Sequence, residues 1–559
     1  MKLIEWEIWH SYSTYLSEQK INLEHAAKIL VDSGMALCSM HRDGRTYWQS
    51  GKGTQSGQTK IILDSKQMIA KIILETDSGQ QGEFASFAQE AWYQSANFRF
   101  KEMRLFGNSR SLPPPYIRVY LGQCNLLSGY DKQRIICYPI IKLFESGILL
   151  VELRTINPNS KISLEEFISR YVNLCTEAFK EIEVPPAVAK YATYAYYQYA
   201  RENIPLHLRV GTVYLRKQHN LAVDEITRES EEGDFTFKFA PLSKLDSENA
   251  FENLSSLATT LFHTISYLLS NPRTGIDYIL RGQKKLVEVG DFWVGRPHIY
   301  IVRFEKQKET AKENEAIHQA DFGRILSRTM FDDRETAINN LPKDSRLFDD
   351  FNAYINQAVS LWVWSKCGIR KQKDWADQNR GHLIYEHQTV VELLEYGYML
   401  HRSLYERSSR YSNADDVLIA RKNLIGLKYE MREASRFGEV RDMLTSGWSQ
   451  MGVPELQKSI EESLSVKEAE TSMAEARRRN NLGIMLTILF GIFAVPSVAK
   501  EFVGPLWDLF GFWRPPTEAV SKIFMIFVSM LLLFISLVIF GLFKKLSPFR
   551  NKKEKNKKL

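Results

Sequence analysis

The segment Gly44 to Thr54 ends in Gly51-Lys52-Gly53-Thr54, residue types that can cradle a phosphate. A phosphate loop needs four residues between its glycines and Ser or Thr directly after the lysine, so that backbone N–H groups, ammonium and hydroxyl converge on one anion. Six residues separate Gly44 from Gly51, and Gly53 follows Lys52, so the spacing predicts a hairpin turn. His382 and His387 are five apart, out of register for two metal ligands on one helical face, and predict a packing or solvent role. Asp332-Asp333 and Asp349-Asp350 predict carboxylates at helix starts, where the dipole favours them. The chain holds no G-x-S-x-G elbow, H-E-x-x-H pair or C-x-x-C pair, and its five cysteines read as reduced thiols. The expectation is a protein without catalytic residues, metal site or cofactor, not an enzyme.

A binding surface has one candidate. Between Lys190 and Arg201, tyrosines including Tyr194 and Tyr197 interleave with Ala and Gln, a pattern that could stack bases between two cations. The competing reading is a tyrosine-rich helix packed in a core or an interface.

These residues need elements to position them. At 559 residues the chain is too long for one core, and 44% hydrophobic with 25% charged residues is ordinary globular composition. The net charge of +7 resides in the last sixteen residues, Lys544 to Leu559, which hold eight basic residues against Glu554. A neutral body with a polybasic tail lacks the basic face that sequence-independent DNA binding requires.

Two charge-free apolar runs stand near the C-terminus. Leu482 to Ala499 would span roughly 27 Å as a helix and Ile523 to Phe543 roughly 31 Å, against a hydrocarbon thickness of roughly 30 Å. The second run is Leu, Ile, Phe, Val and Met almost throughout and can face lipid. The first is diluted, with Gly483, Thr487 and Gly491 at i, i+4, i+8 on one face that wants protein or water beside it. Arg477, Arg478 and Arg479 precede the first run and the basic tail follows the second. Both termini are therefore expected on the cytoplasmic side of a bacterial-type inner (plasma) membrane, crossed twice. MKLIEWEIWHSY carries early acids and no apolar stretch, and does not read as a secretory signal.

Upstream, strand and helix patterns alternate. Arg134 to Phe144 and Gly147 to Ile156 read as a hairpin around Glu-Ser-Gly, and Ser163 opens a helix expected to run through about Lys180. Leu206 to Lys217, Gly233 to Phe239 and Arg296 to Phe304 are further strand candidates, and Asn249 to Ser270 and Glu315 to Met330 are helices. From about Ser345 helices take over: Gly381 to Tyr411, Asp415 to Trp448, and Pro454 to Asn480 with an apolar seam at Leu456, Ile460 and Leu464. The expected organisation is a cytosolic α/β domain (1–344), a helical stalk (345–480), a transmembrane hairpin (481–543) and a polybasic cytoplasmic tail (544–559).

This layout resembles the CorA family of divalent-cation channels: a cytosolic α/β domain, a stalk helix continuous with the first membrane helix, a short outer loop, a second membrane helix and a basic C-terminus. The residue-level likeness covers the organisation from Pro454 to Lys545. The Gly-Met-Asn tripeptide that follows the first membrane helix in that family is absent; the chain reads Val-Pro-Ser-Val-Ala-Lys-Glu after Ala494, so magnesium selectivity does not carry over. The resemblance implies a homo-oligomer, a pentamer in the family, that passes ions through a pore lined by the first helix. Gly483, Thr487 and Gly491 would face the pore, and Leu482, Leu486 or Phe490 would form a dewetting constriction. Arg477, Arg478 and Arg479 would either ring the inner mouth, favouring anions, or snorkel to lipid phosphates. Relatives lacking the tripeptide include bacterial antiviral effectors gated by a nucleotide messenger, which implies a nucleotide or oligonucleotide ligand for the soluble domain. The alternative is a membrane-tethered sensor or enzyme whose two helices only anchor it.

Overall fold

The N-terminal segment Lys2–Tyr15 alternates large apolar and polar side chains and becomes the strand on which the sheet is built. It pairs antiparallel with Ile148–Ile156 on one side and Val294–Phe304 on the other. In the computed structural model, residues 1–199, 237–238, 253–372 and 381–546 are described, apart from short interruptions within these spans. Among them fifteen strands form one mixed sheet. Most neighbours are antiparallel, with a parallel junction between Val294–Phe304 and Ser360–Trp364.

The strands in the middle of the sheet are buried on both faces, which is why they read as apolar runs. In Ile148–Ile156, Leu149, Val151 and Leu153 enter one core layer with Tyr12, Val119 and the helix Leu254–Leu269. Ile148 and Leu150 enter the opposite layer, with Trp9, Phe98, Trp362 and the helix Gly381–Ser408. A third apolar cluster gathers Leu3, Trp6 and Ile301 with Phe167 and Phe322.

The hairpin Arg134–Phe144/Ile148–Ile156 forms as its pattern predicts, with Gly147 at φ +85° in the turn. Arg45–Ser50 and Gly53–Asp64 form the hairpin expected where the phosphate-loop look-alike stands. Ser163 caps its helix by accepting from the Glu166 N–H, but that helix stops at Arg170 rather than Lys180. A short 3-10 turn follows, and Phe179–Val184 becomes a strand because Phe179, Ile182 and Val184 fill the core. Leu254–Leu269, Ala311–Leu326 and Val294–Phe304 match their expected elements within a few residues. The candidate Leu206 to Lys217 lies outside the described residues. Of Gly233 to Phe239 only Phe237 and Lys238 are described, as a two-residue strand.

The expected boundary at 344/345 is corrected by two strands beyond it. Phe351–Ile355 and Ser360–Trp364 pair with each other and complete one edge of the sheet. Asp349-Asp350 therefore precedes a strand, not a helix, and Asp350 pairs with Lys371 at 2.7 Å. Asp332-Asp333 lies outside the described residues. The helix Gly381–Ser408, expected in a stalk, packs instead on the sheet against Lys2–Tyr15 and Ile148–Ile156. The next helix is broken: Ala414–Arg432 and Gly438–Gln450 are separated where Ser435 turns to donate to the Leu105 carbonyl.

By internal contacts the chain divides into one unit of 1–411 with 418–464 and another of 412–417 with 465–559. The helix Val453–Val498 contributes to both, its Ile460 and Leu464 buried in the first unit as the seam predicts.

Three buried histidines give the folded chain a pH signature. Burial holds His387, stacked on Trp362, down to about 4, and His401 down to about 4. Burial, aided by Arg328, holds His10 down to about 3. The unfolded chain protonates these rings near pH 6.5, before the folded chain does, so their contribution is complete above that pH and is lost as pH falls toward 4. Each ring should cost about 2 kcal/mol by pH 5. The expected result is a thermal midpoint of the detergent-solubilised chain that drops steadily from pH 7 to 5. A flat profile would contradict the assignment.

Candidate functional site

The site begins in a helix of 46 residues, Val453–Val498, about 69 Å long at 1.5 Å per residue. Gly452, at φ +81°, makes the turn into it, and Pro454 occupies its first turn, where no N–H is needed. Its middle is polar and ion-paired, as in Lys467–Glu470 and Glu475–Arg479. Arg477, Arg478 and Arg479 are exposed, Arg479 with 84% of its side chain accessible. From Leu482 to Phe490 every residue is exposed, although the stretch is almost wholly apolar. An apolar surface of this extent is stable only in lipid or against other subunits. In the helix Glu518–Leu546 most residues from Glu518 to Ile535 are exposed in the same way, and both helices are long and apolar enough to cross a membrane, with mean hydropathy 2.2 and 2.1 over eighteen residues.

The two apolar helices meet along one seam. Val495 and Ala499 of the first and Met525 and Ser529 of the second are nearly fully buried, each pair four residues apart. A Cβ on Gly491 would stand 3.4 Å from Leu533 Cδ1, so Gly491 continues the same row. Gly491 thus faces the second helix of its own chain. A leucine-sized partner on one side needs a small residue on the other. Gly483 has open space where its side chain would be, and Thr487 donates to the Gly483 carbonyl at 2.8 Å, so its hydroxyl serves its own helix. Replacing Gly491 by Ala should be tolerated at contact distance. Gly491→Leu should overpack the seam and cost about 1–3 kcal/mol, read as a lower melting temperature in detergent.

The seam also defines its opposite. At about 100° per residue, Leu482, Leu486, Phe490 and Phe493 lie about 180° from the centre of the Gly491–Val495–Ala499 row, and Arg479 projects along the same line. All four are exposed, Phe490 at 68% and Phe493 at 73%. Gly483 and Thr487 flank this stripe.

In the sheet-bearing unit the unforeseen feature is a layer of buried charge beneath the helix Gly381–Ser408. The sheet positions facing this helix are Tyr116, Arg118 and Tyr120; Ile140, Lys142 and Phe144; Leu150, Glu152 and Arg154. Glu392 accepts both Arg118 guanidinium N–H groups, at 2.7 and 2.5 Å, and Lys142 at 2.7 Å. Lys142 also reaches Glu102, and Arg154 forks onto Glu7 at 2.9 and 2.8 Å. One turn along the helix, Glu395 takes Arg296 at 2.7 Å. Gln388 bridges Tyr300, whose hydroxyl donates to it, and Glu152, to which it donates, both at 2.6 Å. Burial opposes ionisation of Glu392, but Arg118 and Lys142 overcome it and hold the carboxyl at about 2. Burial and the charge on Glu392 push Glu152 well above the carboxylate range. The signal for this layer was legible as single charges inside apolar strands, such as Lys142 in RIICYPIIKLF, at positions of core parity.

The tyrosine-rich helix Pro186–Tyr199 sits on the other face of the sheet. Tyr194 packs edge-on against Tyr191 and Tyr267, with ring centroids 5.7 and 6.5 Å away, and Lys190 is half-buried on the same helix. The Tyr197 side chain and Arg201 lie outside the described residues. His387 is buried among aromatic rings, and no group of His, Cys, Asp and Glu able to hold a metal ion occurs among the described residues.

Comparison with protein-family models, with curated proteins and with solved structures finds no match to this chain.

Proposed function

We propose that this chain is the subunit of an oligomeric, CorA-like membrane channel whose soluble unit controls a pore built from the first apolar helix. The observation that carries the reading is the exposed stripe Leu482, Leu486, Phe490 and Phe493 on the side away from the chain's own second helix, continued downward by Arg479. In a ring of hairpins with the second helices outermost against lipid, that side faces the axis. Four layers of large apolar side chains then close the passage by excluding water, and an arginine ring at the inner end favours anions over cations. The unbroken helix Val453–Val498 supports mechanical coupling, because it contributes residues to both units. A nucleotide messenger as the gating ligand is the part of the proposal that rests on the CorA resemblance alone.

Planar-bilayer recording of the purified full chain tests the reading. Unitary currents, with reversal potentials shifted toward the anion, are expected on addition of extracts of infected or stressed native cells. Silence with and without such extracts would leave the hairpin an anchor.

A further inference from the structure

At the tip of the hairpin, Pro496 removes a rung from the helical ladder and Ala499–Val503 widens into a single π turn. The chain then folds back through the short helix Gly504–Leu509. These departures open a cavity of about 430 Å³ with an apolar floor that includes Pro496, Ala499 and Met525. Its rim carries three cations, Lys500, Arg514 and Lys522, against one acid, Asp508.

The rim is organised rather than loose. Arg514 donates to the Gly504 carbonyl at 2.7 Å and pairs with Asp508 at 2.8 Å, which fixes its guanidinium plane. Lys522 is held by Glu518 at 2.8 Å, one turn back on its helix. Lys500 has no ion-pair partner among the described residues, so the cavity keeps an uncompensated positive charge. Trp507 and Trp513, next in sequence to the rim residues Asp508 and Arg514, are both in contact with Phe524 and tied together by the Trp507 indole N–H donating to the Trp513 carbonyl. Tryptophan pairs of this kind mark the headgroup level of a bilayer.

We infer that this cavity binds the phosphate of an anionic phospholipid, with Lys500, Arg514 and Lys522 around the phosphate oxygens and the lipid's glycerol and first methylenes on the apolar floor. The inference rests on the hairpin being in the membrane, as proposed above, and not on ion conduction. Fixed guanidinium geometry suits a phosphate, and the two lysines add point charge. A bare phosphate would have no use for the apolar floor, whereas a lipid occupies both halves of the cavity. Lipid held at this point would brace the π turn, the place where the two apolar helices are joined.

The test is native mass spectrometry of the full chain, taken from nanodiscs of phosphatidylcholine and phosphatidylglycerol into detergent. The expected result is preferential retention of phosphatidylglycerol at one per chain, unaffected by excess inorganic phosphate. Retention should fall about fivefold in Lys500→Gln, return in Lys500→Arg, and fall further in Lys500→Gln/Lys522→Gln. Lys500 is exposed and makes no ion pair among the described residues, so its single variant should assemble like the parent. Equal retention of both lipids, or no change in Lys500→Gln, would overturn the site. Displacement by inorganic phosphate would overturn the lipid assignment in favour of a free anion. Release of the chain from membranes by alkaline carbonate would overturn the membrane reading itself.

Discussion

Glu392→Ala should destabilise the sheet-bearing unit by about 3–5 kcal/mol, because it removes the carboxylate that Arg118 and Lys142 share beneath a helix. Arg118 loses both of its charge-assisted hydrogen bonds and Lys142 the shorter of its two carboxylate contacts. Lys142 keeps Glu102 at 3.2 Å, but the carboxyl left to Arg118 is Glu152, whose nearest oxygen is 3.8 Å away and whose ionisation burial opposes. Glu392→Gln keeps the volume and removes the charge, and should recover only part of the loss. The informative control is Arg118→Met/Glu392→Met, which removes both charges and should lie closer to the parent than Glu392→Ala does. Chemical denaturation of the solubilised chain reads all three. A Glu392→Ala variant within 1 kcal/mol of the parent would mean that the helix Gly381–Ser408 is held by its apolar residues alone.

The second large effect concerns the stripe opposite the seam. Leu486→Asn places an amide in the middle of the proposed constriction, whose four exposed apolar layers would otherwise keep the proposed passage dry. Its expected outcome is a standing current without stimulus, at least about tenfold above that of the parent. Leu489→Asn, on a neighbouring exposed flank, should reduce membrane insertion but leave the resting channel closed. If both variants behave alike, the stripe faces lipid and the pore lies elsewhere.

What the residues disclosed in advance follows from how local each signal was. The Arg134–Ile156 hairpin carries its pairing in adjacent apolar runs and its turn in Gly147, and the apolar helices declare themselves by the lack of charge. The strands Phe351–Ile355 and Ser360–Trp364 were missed because each has five residues and their place depends on a parallel partner some sixty positions earlier. Nothing local in Gly381–Ser408 shows that Glu386, Glu392 and Glu395 are buried against partners; Lys101, on the helix Ala88–Phe106, and Arg118 and Arg296, on strands of the sheet, answer those charges. Gly491 shares a face with Gly483 and Thr487, and nothing local distinguishes a small face that meets a sister helix from one that meets water. The continuation of that row into buried Val495 and Ala499 is what decides it.

The placement of the first apolar helix in the assembled particle bears most directly on the account. Electron microscopy of the detergent-solubilised full chain should show a closed ring of subunits in which Leu482, Leu486, Phe490 and Phe493 from every copy point at the symmetry axis and the Glu518–Leu546 helices form the outer wall. A particle with those residues on its lipid-facing circumference, or with a single hairpin and no axial passage, would contradict it.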